Sequence, residues 1–163
     1  MMTQRFDEGR QYGVAPWAMK AYLQDQFIGR DDAFWGVVFE DDGAGGTYSI
    51  FEESGHSGVV CTGFADAIRR KLPHRVRVLG FMCRDNPKAV GIARLADGHD
   101  FAVVDGRYVV DPWLTEVESG RITVHTGEVV DLGGRGVFDL MDDDDADLVA
   151  ALYGDPATWK DVP

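Results

Sequence analysis

The spacing of apolar and polar residues predicts a helix near each end of the chain. Residues 16–28 begin with Pro16, which is favoured at the first position of a helix, carry apolar residues at helical spacing and are followed by Gly29. Residues 143–153 begin with carboxylates, which stabilise the N-terminal end of a helix, and are followed by Gly154. We therefore predict helices over 16–28 and 143–153.

A third helix is predicted in the middle of the chain. Phe64, Ala65 and Ile68 recur at helical spacing, and the basic residues that follow Ile68 suit a C-terminal turn. The glycines and serines that precede this pattern are typical of a loop. The helix is therefore expected to begin at or just before Cys61.

Strands are predicted where the chain alternates or is rich in β-branched and aromatic residues. Such segments are found at 34–40, 47–53, 75–82, 99–104, 107–111 and 121–132. A helix followed by several antiparallel strands predicts an α+β fold. We expect a single domain over residues 1–163, with a core at about 47–132 and the two terminal helices outside it.

The net charge of the chain limits the classes of partner that it can bind. The chain has 163 residues, of which 28 are acidic and 16 basic, and its net charge is −12. This charge repels phosphate backbones and anionic membrane surfaces. We therefore expect no nucleic acid or membrane partner, and we expect a neutral or basic protein or peptide partner. The oligomeric state is not predicted.

Targeting signals and cysteine usage bear on the compartment. No apolar run approaches the roughly 18 residues of a membrane span, and the first residues lack the basic and then apolar pattern of a signal peptide. Two cysteines cannot form a disulfide framework. We expect a cytoplasmic protein, and export by a route without a cleaved signal remains open.

The two cysteines occupy different sequence contexts. Cys61 lies at the predicted start of a helix, where unpaired backbone N–H groups and the helix dipole favour a thiolate. Cys83 lies at a predicted strand end, which favours an ordinary small buried residue. Cys61 is therefore the candidate nucleophile.

The segment 98–113, GHDFAVVDGRYVVDPW, predicts a hairpin with a His at one open end and an Asp at the other. A two-residue loop would place Pro112 opposite His99 and would leave Asp111 on the other face. A three-residue loop at 104–106 would place Asp111 directly opposite His99, with Cβ atoms about 5 Å apart. In that register the carboxylate accepts a hydrogen bond from one ring nitrogen and leaves the other free for chemistry.

Together, these residues resemble the transglutaminase-like branch of the papain-like cysteine peptidase superfamily. The resemblance extends over about 55–113 and consists of a Cys at the head of a helix, a His opening a strand and an Asp on the next strand. It implies a papain-like core, with Cys61 as nucleophile, His99 as general base and then acid, and Asp111 as the orienting carboxylate. The chain has no Gln shortly before Cys61, so the backbone N–H of that residue, His56 and Ser57 are the candidate oxyanion or substrate contacts.

The resemblance implies a thiol-dependent enzyme that cleaves or modifies an amide bond in a protein or peptide, as in a cysteine peptidase or amidase. The same superfamily includes protein glutamine deamidases, transglutaminases and bacterial effectors or toxins, and these activities remain alternatives. Trp113 is a further candidate oxyanion or substrate contact, and it is expected to shield the His–Asp pair from water. No metal or organic cofactor is implied. A candidate of another class is an acidic, non-enzymatic binding or inhibitor protein.

Overall fold

The computed structural model describes residues 14–35, 39–41, 47–49, 60–117 and 120–163. In the described residues the helices are α1 (Pro16–Phe27), α2 (Asp32–Trp35), α3 (Val60–Lys71), α4 (Val90–Ala93), α5 (Trp113–Val117) and α6 (Asp143–Tyr153). The strands are β1 (Phe39–Asp41), β2 (Thr47–Ser49), β3 (Val76–Met82), β4 (Gly98–Val104), β5 (Tyr108–Val110), β6 (Arg121–Thr123), β7 (Val129–Asp131), β8 (Val137–Asp139) and β9 (Lys160–Asp161).

The protein has an α+β fold built around a five-stranded antiparallel sheet. The order of the strands is β8-β5-β4-β3-β9, so β4 lies at the centre of the sheet. Two small antiparallel pairs, β1 with β2 and β6 with β7, are separate from this sheet. The five-stranded sheet takes β8 and β9 from beyond residue 132, so the sheet extends outside the segment that we expected to form the core.

Helix α3 covers the sheet through the apolar residues that the sequence pattern selects. Phe64, Ala65 and Ile68 are all buried. The opposite side of the helix carries Asp66, whose carboxylate binds Arg69 and Arg70 one turn later. An acidic residue placed before basic residues at this spacing stabilises a helix by a few tenths of a kcal/mol, and the buried face fixes how the helix lies on the sheet.

Helix α6 begins and ends through local contacts. The side chain of Asp142 caps its first turn by accepting a hydrogen bond from the N–H of Asp145 at 2.9 Å. The helix ends before Gly154, whose φ is +68°. A Cβ at that position would come within 2.1 Å of the amide oxygen of Asn86, so only glycine fits.

The β4–β5 hairpin has a register that differs from both sequence-based alternatives. Val104 faces Tyr108, so the loop consists of residues 105–107. Asp105 (φ +53°) and Gly106 (φ +65°) both have left-handed backbones. Asp and Gly are among the residues that adopt this conformation at least cost.

Long-range contacts fix this loop. The carboxylate of Asp105 is held by both ends of the Arg75 guanidinium, at 3.0 and 2.7 Å, and the N–H of Asp105 donates to the carbonyl of Arg75. The carbonyl of Arg107 accepts from the N–H of Leu140. Because these partners are 30 or more residues away, the local Asp-Gly signal alone could not predict the register.

Two of the strand predictions require correction. Residues 32–35 form a helical turn, so a strand over 34–40 is wrong at its beginning, and only 39–41 of that segment is a described strand. The predicted strand at 121–132 is a hairpin of β6 and β7, in which Ile122 faces Val130.

No helix in the described residues is long and apolar enough to cross a membrane.

Candidate active site

His99 and Asp111 meet at the open end of the β4–β5 hairpin. His99 Nε2 lies 2.6 Å from Asp111 Oδ2. The prediction that the two residues face each other directly is wrong, because the observed register, continued past β5, places position 113 opposite His99. The observed register differs from the predicted one by two residues. Because side chains alternate between the two faces of a strand, Asp111 is still on the same face as His99, as its diagonal neighbour.

Two further donors hold the Asp111 carboxylate. The N–H of Trp113 donates to Oδ1 at 3.2 Å, and the hydroxyl of Tyr153 donates to Oδ2 at 2.5 Å. The carboxylate therefore accepts hydrogen bonds from the backbone, from a phenol and from the imidazole. Its side chain is only 2% exposed, so these partners replace the water it would bind on the surface.

The His99 ring is enclosed by aromatic side chains. The Trp113 ring centroid lies 4.5 Å from that of His99, and the Tyr153 ring lies nearly parallel to the imidazole at 5.8 Å. Phe81 and Phe101 lie at 6.5 and 6.0 Å. The His99 side chain is 0% exposed, so bulk water does not compete for its hydrogen bond with Asp111.

Burial and charge act in opposite directions on His99. Burial lowers the pKa of the ring, but the charge of Asp111, the hydrogen bond to it and the interaction with the Cys61 thiol together raise the pKa to about 10. The ring is therefore an imidazolium at neutral pH. An imidazolium beside a carboxylate is a stable ion pair that can still release a proton to a stronger base.

Cys61 is the second residue of α3 and is half-buried against the core. Its thiol contributes to the raised pKa of His99, so the sulfur lies within interaction range of the ring. Nε2 is taken by Asp111, and Nδ1 is buried without a hydrogen-bond partner among the described residues. Nδ1 is therefore the nitrogen left for the thiol.

A second contact ties the start of α3 to the start of β4. The hydroxyl of Thr62, next to Cys61, donates to Asp100 Oδ2, next to His99, at 2.5 Å. The other oxygen of Asp100 occupies the space beside Gly80, where a Cβ would lie 2.0 Å from it. The residues adjacent to the thiol and to the imidazole are thus joined directly.

The other predicted site residues have different positions. Cys83 donates its S–H to the carbonyl of Ala96 at 3.4 Å, and burial together with the charge of Asp97 raises its pKa. His56 and Ser57 lie outside the described residues. The structure thus brings together Cys61, His99, Asp111 and Trp113, while Cys83 has no described contact with them.

Three residues near the site were not found by sequence reasoning: Thr62, Asp100 and Tyr153. Asp100 is directly adjacent to His99 and Thr62 to Cys61, but strand alternation points Asp100 away from the His99 face, which gives no sign of a role. Tyr153 is 42 residues from Asp111 and ends a helix whose local pattern is fully explained by capping and burial. No local signal identifies such a partner.

Comparisons of the chain with protein-family models, with curated proteins and with solved structures gave no match. Within the part of the chain that the structure describes, no group of three or more His, Cys, Asp or Glu side chains is arranged to hold a metal ion. The chemistry of the site is therefore argued from its geometry and charge.

Proposed function

We propose that the protein is a cysteine-dependent acyl-transfer enzyme acting on an amide bond in a protein or peptide. The observation that carries this proposal is the His99 ring: Nε2 is held by Asp111, Nδ1 is buried without a described partner, and the ring interacts with the Cys61 thiol. A buried imidazole that is held on one side and free on the other is suited to proton transfer.

In the proposed reaction the Cys61 thiolate attacks the amide carbonyl, and a carbon–sulfur bond forms. The His99 imidazolium gives its Nδ1 proton to the amide nitrogen, the carbon–nitrogen bond breaks, and the amine leaves. Water then attacks the thioester while neutral His99 takes its proton. The acid product leaves, and the thiolate and imidazolium are restored. Asp111 keeps its charge throughout and stabilises the imidazolium.

We also propose a core of the papain and transglutaminase type. This is supported by the chain order of a helix beginning next to Cys61, a strand that includes His99 near its start, and a carboxylate after the following strand. Glutamine deamidation and transamidation use the same first step and differ in what releases the thioester. A neutral or basic substrate fits the net charge of −12.

Thiol labelling tests the proposal without a known substrate. Iodoacetamide at neutral pH, followed by peptide mass analysis, measures the alkylation rates of Cys61 and Cys83 separately. We expect Cys61 to react faster, and we expect His99→Ala to slow Cys61 while leaving Cys83 unchanged. Equal, slow rates that do not respond to His99→Ala would favour the non-enzymatic binding protein.

Mass analysis of candidate proteins identifies the reaction. Each candidate is incubated with the wild-type chain or with Cys61→Ala, which serves as the matched control. Cleavage produces fragments, deamidation raises the mass by about one dalton, and transamidation joins two chains, because the thioester is released by water or by an amine. Modification that persists with Cys61→Ala would contradict the proposed nucleophile.

A further inference from the structure

Tyr153 makes a contact that the reaction described above does not use. Its hydroxyl donates to Asp111 Oδ2 at 2.5 Å, the same oxygen that lies 2.6 Å from His99 Nε2. The Tyr153 side chain is fully buried. Burial and the charge of Asp111 both raise the pKa of Tyr153 well above its usual value, so the phenol remains a proton donor at every pH at which the protein would be assayed.

The fold holds Tyr153 in place at its backbone as well as at its ring. Its carbonyl accepts hydrogen bonds from Asn86 Nδ2 at 2.7 Å and from Trp159 Nε1 at 3.2 Å. Its ring lies 13° from parallel to the imidazole of His99 and contacts Phe101 at a centroid distance of 4.8 Å. The hydroxyl is therefore aimed at Asp111 by α6 and by the segments on either side of it.

The two donors other than His99 determine how the carboxylate is oriented. Trp113 N–H holds Oδ1, and the Tyr153 hydroxyl holds Oδ2 from a separate element of the fold. A carboxylate with one fixed donor can still rotate about its Cβ–Cγ bond, whereas one with a fixed donor on each oxygen presents a single direction to the imidazole.

We propose that Tyr153 is a positioning residue of the Cys61 site, which fixes the Asp111 carboxylate and thereby the orientation of the His99 ring. This inference rests on the proposed function and adds a fourth member to the site. The Tyr153 hydroxyl acts through Asp111, whereas its ring, which Tyr153→Phe retains, lies beside the imidazole. Removal of the hydroxyl slows the reaction only as long as Asp111 is present.

Tyr108, in strand β5, provides a matched control for Tyr153. It is also fully buried, and its hydroxyl has no hydrogen-bond partner in the described part of the chain. Tyr108→Phe and Tyr153→Phe therefore remove the same atom from equally buried sites, and only the second change affects Asp111. Any difference in the Cys61 alkylation rate between the two variants is therefore due to the lost hydrogen bond between Tyr153 and Asp111 and not to the loss of a buried hydroxyl.

The test measures the rate of Cys61 alkylation by iodoacetamide from pH 5 to pH 10 in both variants, each made in the wild-type chain and in Asp111→Ala. We expect Tyr153→Phe to slow alkylation at neutral pH by roughly 10- to 100-fold, by analogy with metal-binding histidines that lose an outer hydrogen-bond partner. We expect Tyr108→Phe to leave the rate unchanged. In Asp111→Ala, we expect Tyr153→Phe to have no further effect.

The outcomes separate this inference from the proposed function. If His99→Ala slows alkylation but Tyr153→Phe behaves like Tyr108→Phe, the role of Tyr153 is overturned and the proposed function stands. Equal slowing by Tyr153→Phe with and without Asp111 would also overturn it, since the effect would then be structural. If His99→Ala has no effect, both proposals fail.

A second measurement covers the case in which Tyr153→Phe does not fold. Replacing Tyr153 by 3,5-difluorotyrosine retains the ring and the O–H but makes the phenol a stronger donor. It should draw charge from Asp111 and lower the pKa of His99, which NMR titration of the ring carbon measures. An unchanged His99 titration would overturn the inference.

Discussion

Two groups of buried carboxylates in this protein are satisfied in different ways. Asp139 and Asp145 are 3% and 5% exposed at their side chains, and both bind cations that reach the surface. Asp111 is equally buried, but its side-chain partners are His99 and Tyr153, both of which are fully buried. The first group can be explained by stability alone, whereas the second encloses a titratable ring.

The partners of Asp139 and Asp145 leave little unsatisfied. Arg107 binds both oxygens of Asp139 at 2.7 and 2.8 Å. Asp145 accepts from Lys20, from Arg135 and from the N–H of Asp139. In contrast, the ring of His99 retains a buried nitrogen without a described partner. An unsatisfied buried group is costly, and its position next to a thiol supports the proposed proton transfer.

The largest expected effect is the loss of activity when the residues around Asp111 are replaced. Cys61→Ala should abolish turnover, and His99→Ala should reduce it by a factor of roughly 10⁴ or more, because nucleophile and base act as a unit. Asp111→Ala should leave more residual activity, since it orients and does not react. Turnover is measured on the substrate found by mass analysis, and circular dichroism confirms that each variant is folded. Retained turnover in His99→Ala would remove the imidazole from the mechanism.

The next effect is on stability and concerns the other carboxylate group. Asp139→Ala removes the carboxylate that accepts two hydrogen bonds from the Arg107 guanidinium, at 2.7 and 2.8 Å. Breaking a buried ion pair by removing one partner costs about 3–5 kcal/mol. Urea unfolding should show this loss in the free energy of unfolding, while the alkylation rate of folded Cys61 remains that of the wild type. A change in Cys61 reactivity would show that the two groups are coupled.

The pH dependence of stability distinguishes the two groups. The His99–Asp111 pair and the carboxylates Asp139 and Asp145 change the free energy of unfolding with pH in opposite directions. The pKa of His99 is raised from 6.5 to about 10, so between these values the folded chain holds a proton that the unfolded chain releases. The stabilisation by His99 is therefore complete below pH 6.5 and is lost as the pH rises towards 10. The difference in unfolding free energy between wild type and His99→Gln should shrink over that interval. A constant difference would contradict the raised pKa.

The stabilisation by Asp139 and Asp145 depends on pH in the opposite direction. The hydrogen bond from Arg107 lowers the pKa of Asp139; burial raises the pKa of Asp145, but the N–H of Asp139 and the cations Lys20 and Arg135 lower it overall. Both contributions are complete above the unfolded pKa, near 4, and are lost as the pH falls below it. Urea unfolding of wild type and Asp139→Asn from pH 2 to pH 6 should show the difference shrinking with acid. A difference that grows at low pH would reverse this assignment.

The smallest expected effect comes from an exposed ion pair, which serves as the reference for both buried groups. Arg77 and Asp161 form a two-pronged pair at 3.0 and 2.8 Å, with side chains 63% and 66% exposed. Such pairs contribute about 0–1 kcal/mol, because water already satisfies the separated charges. Asp161→Asn should change the free energy of unfolding by no more than that, and the change should vanish in high salt. A loss as large as that for Asp139→Ala would mean that β9 depends on this pair.

The parts of the fold that follow from short-range rules could be predicted from the sequence. The helix predicted over 143–153 is observed as Asp143–Tyr153, because carboxylates at its start and glycine at its end act locally. The apolar face of α3 likewise follows from residue spacing. The start of the predicted strand at 34–40 was wrong, since aromatic and β-branched composition suits a buried helical turn as well as a strand.

The candidate site shows where such reasoning ends. Cys61, His99 and Asp111 could be selected because each occupies a recognisable position at the end of an element. The hairpin register could not, because Arg75 holds the turn residue Asp105 from outside the hairpin. The pairing of His99 with Asp111 was nevertheless correct, since a shift of two residues preserves the face.

Gly80 gives the site a dependence on a residue that has no side chain at all. A methyl group there would occupy the position of the Asp100 carboxylate, and displacing that carboxylate would release Thr62 and let the first turn of α3 drift from the strand that carries the imidazole. A chain with alanine at this position could therefore retain every reactive group and still be inert. In the proposed enzyme, Gly80 would then be required as strictly as Cys61, although it takes no part in the reaction.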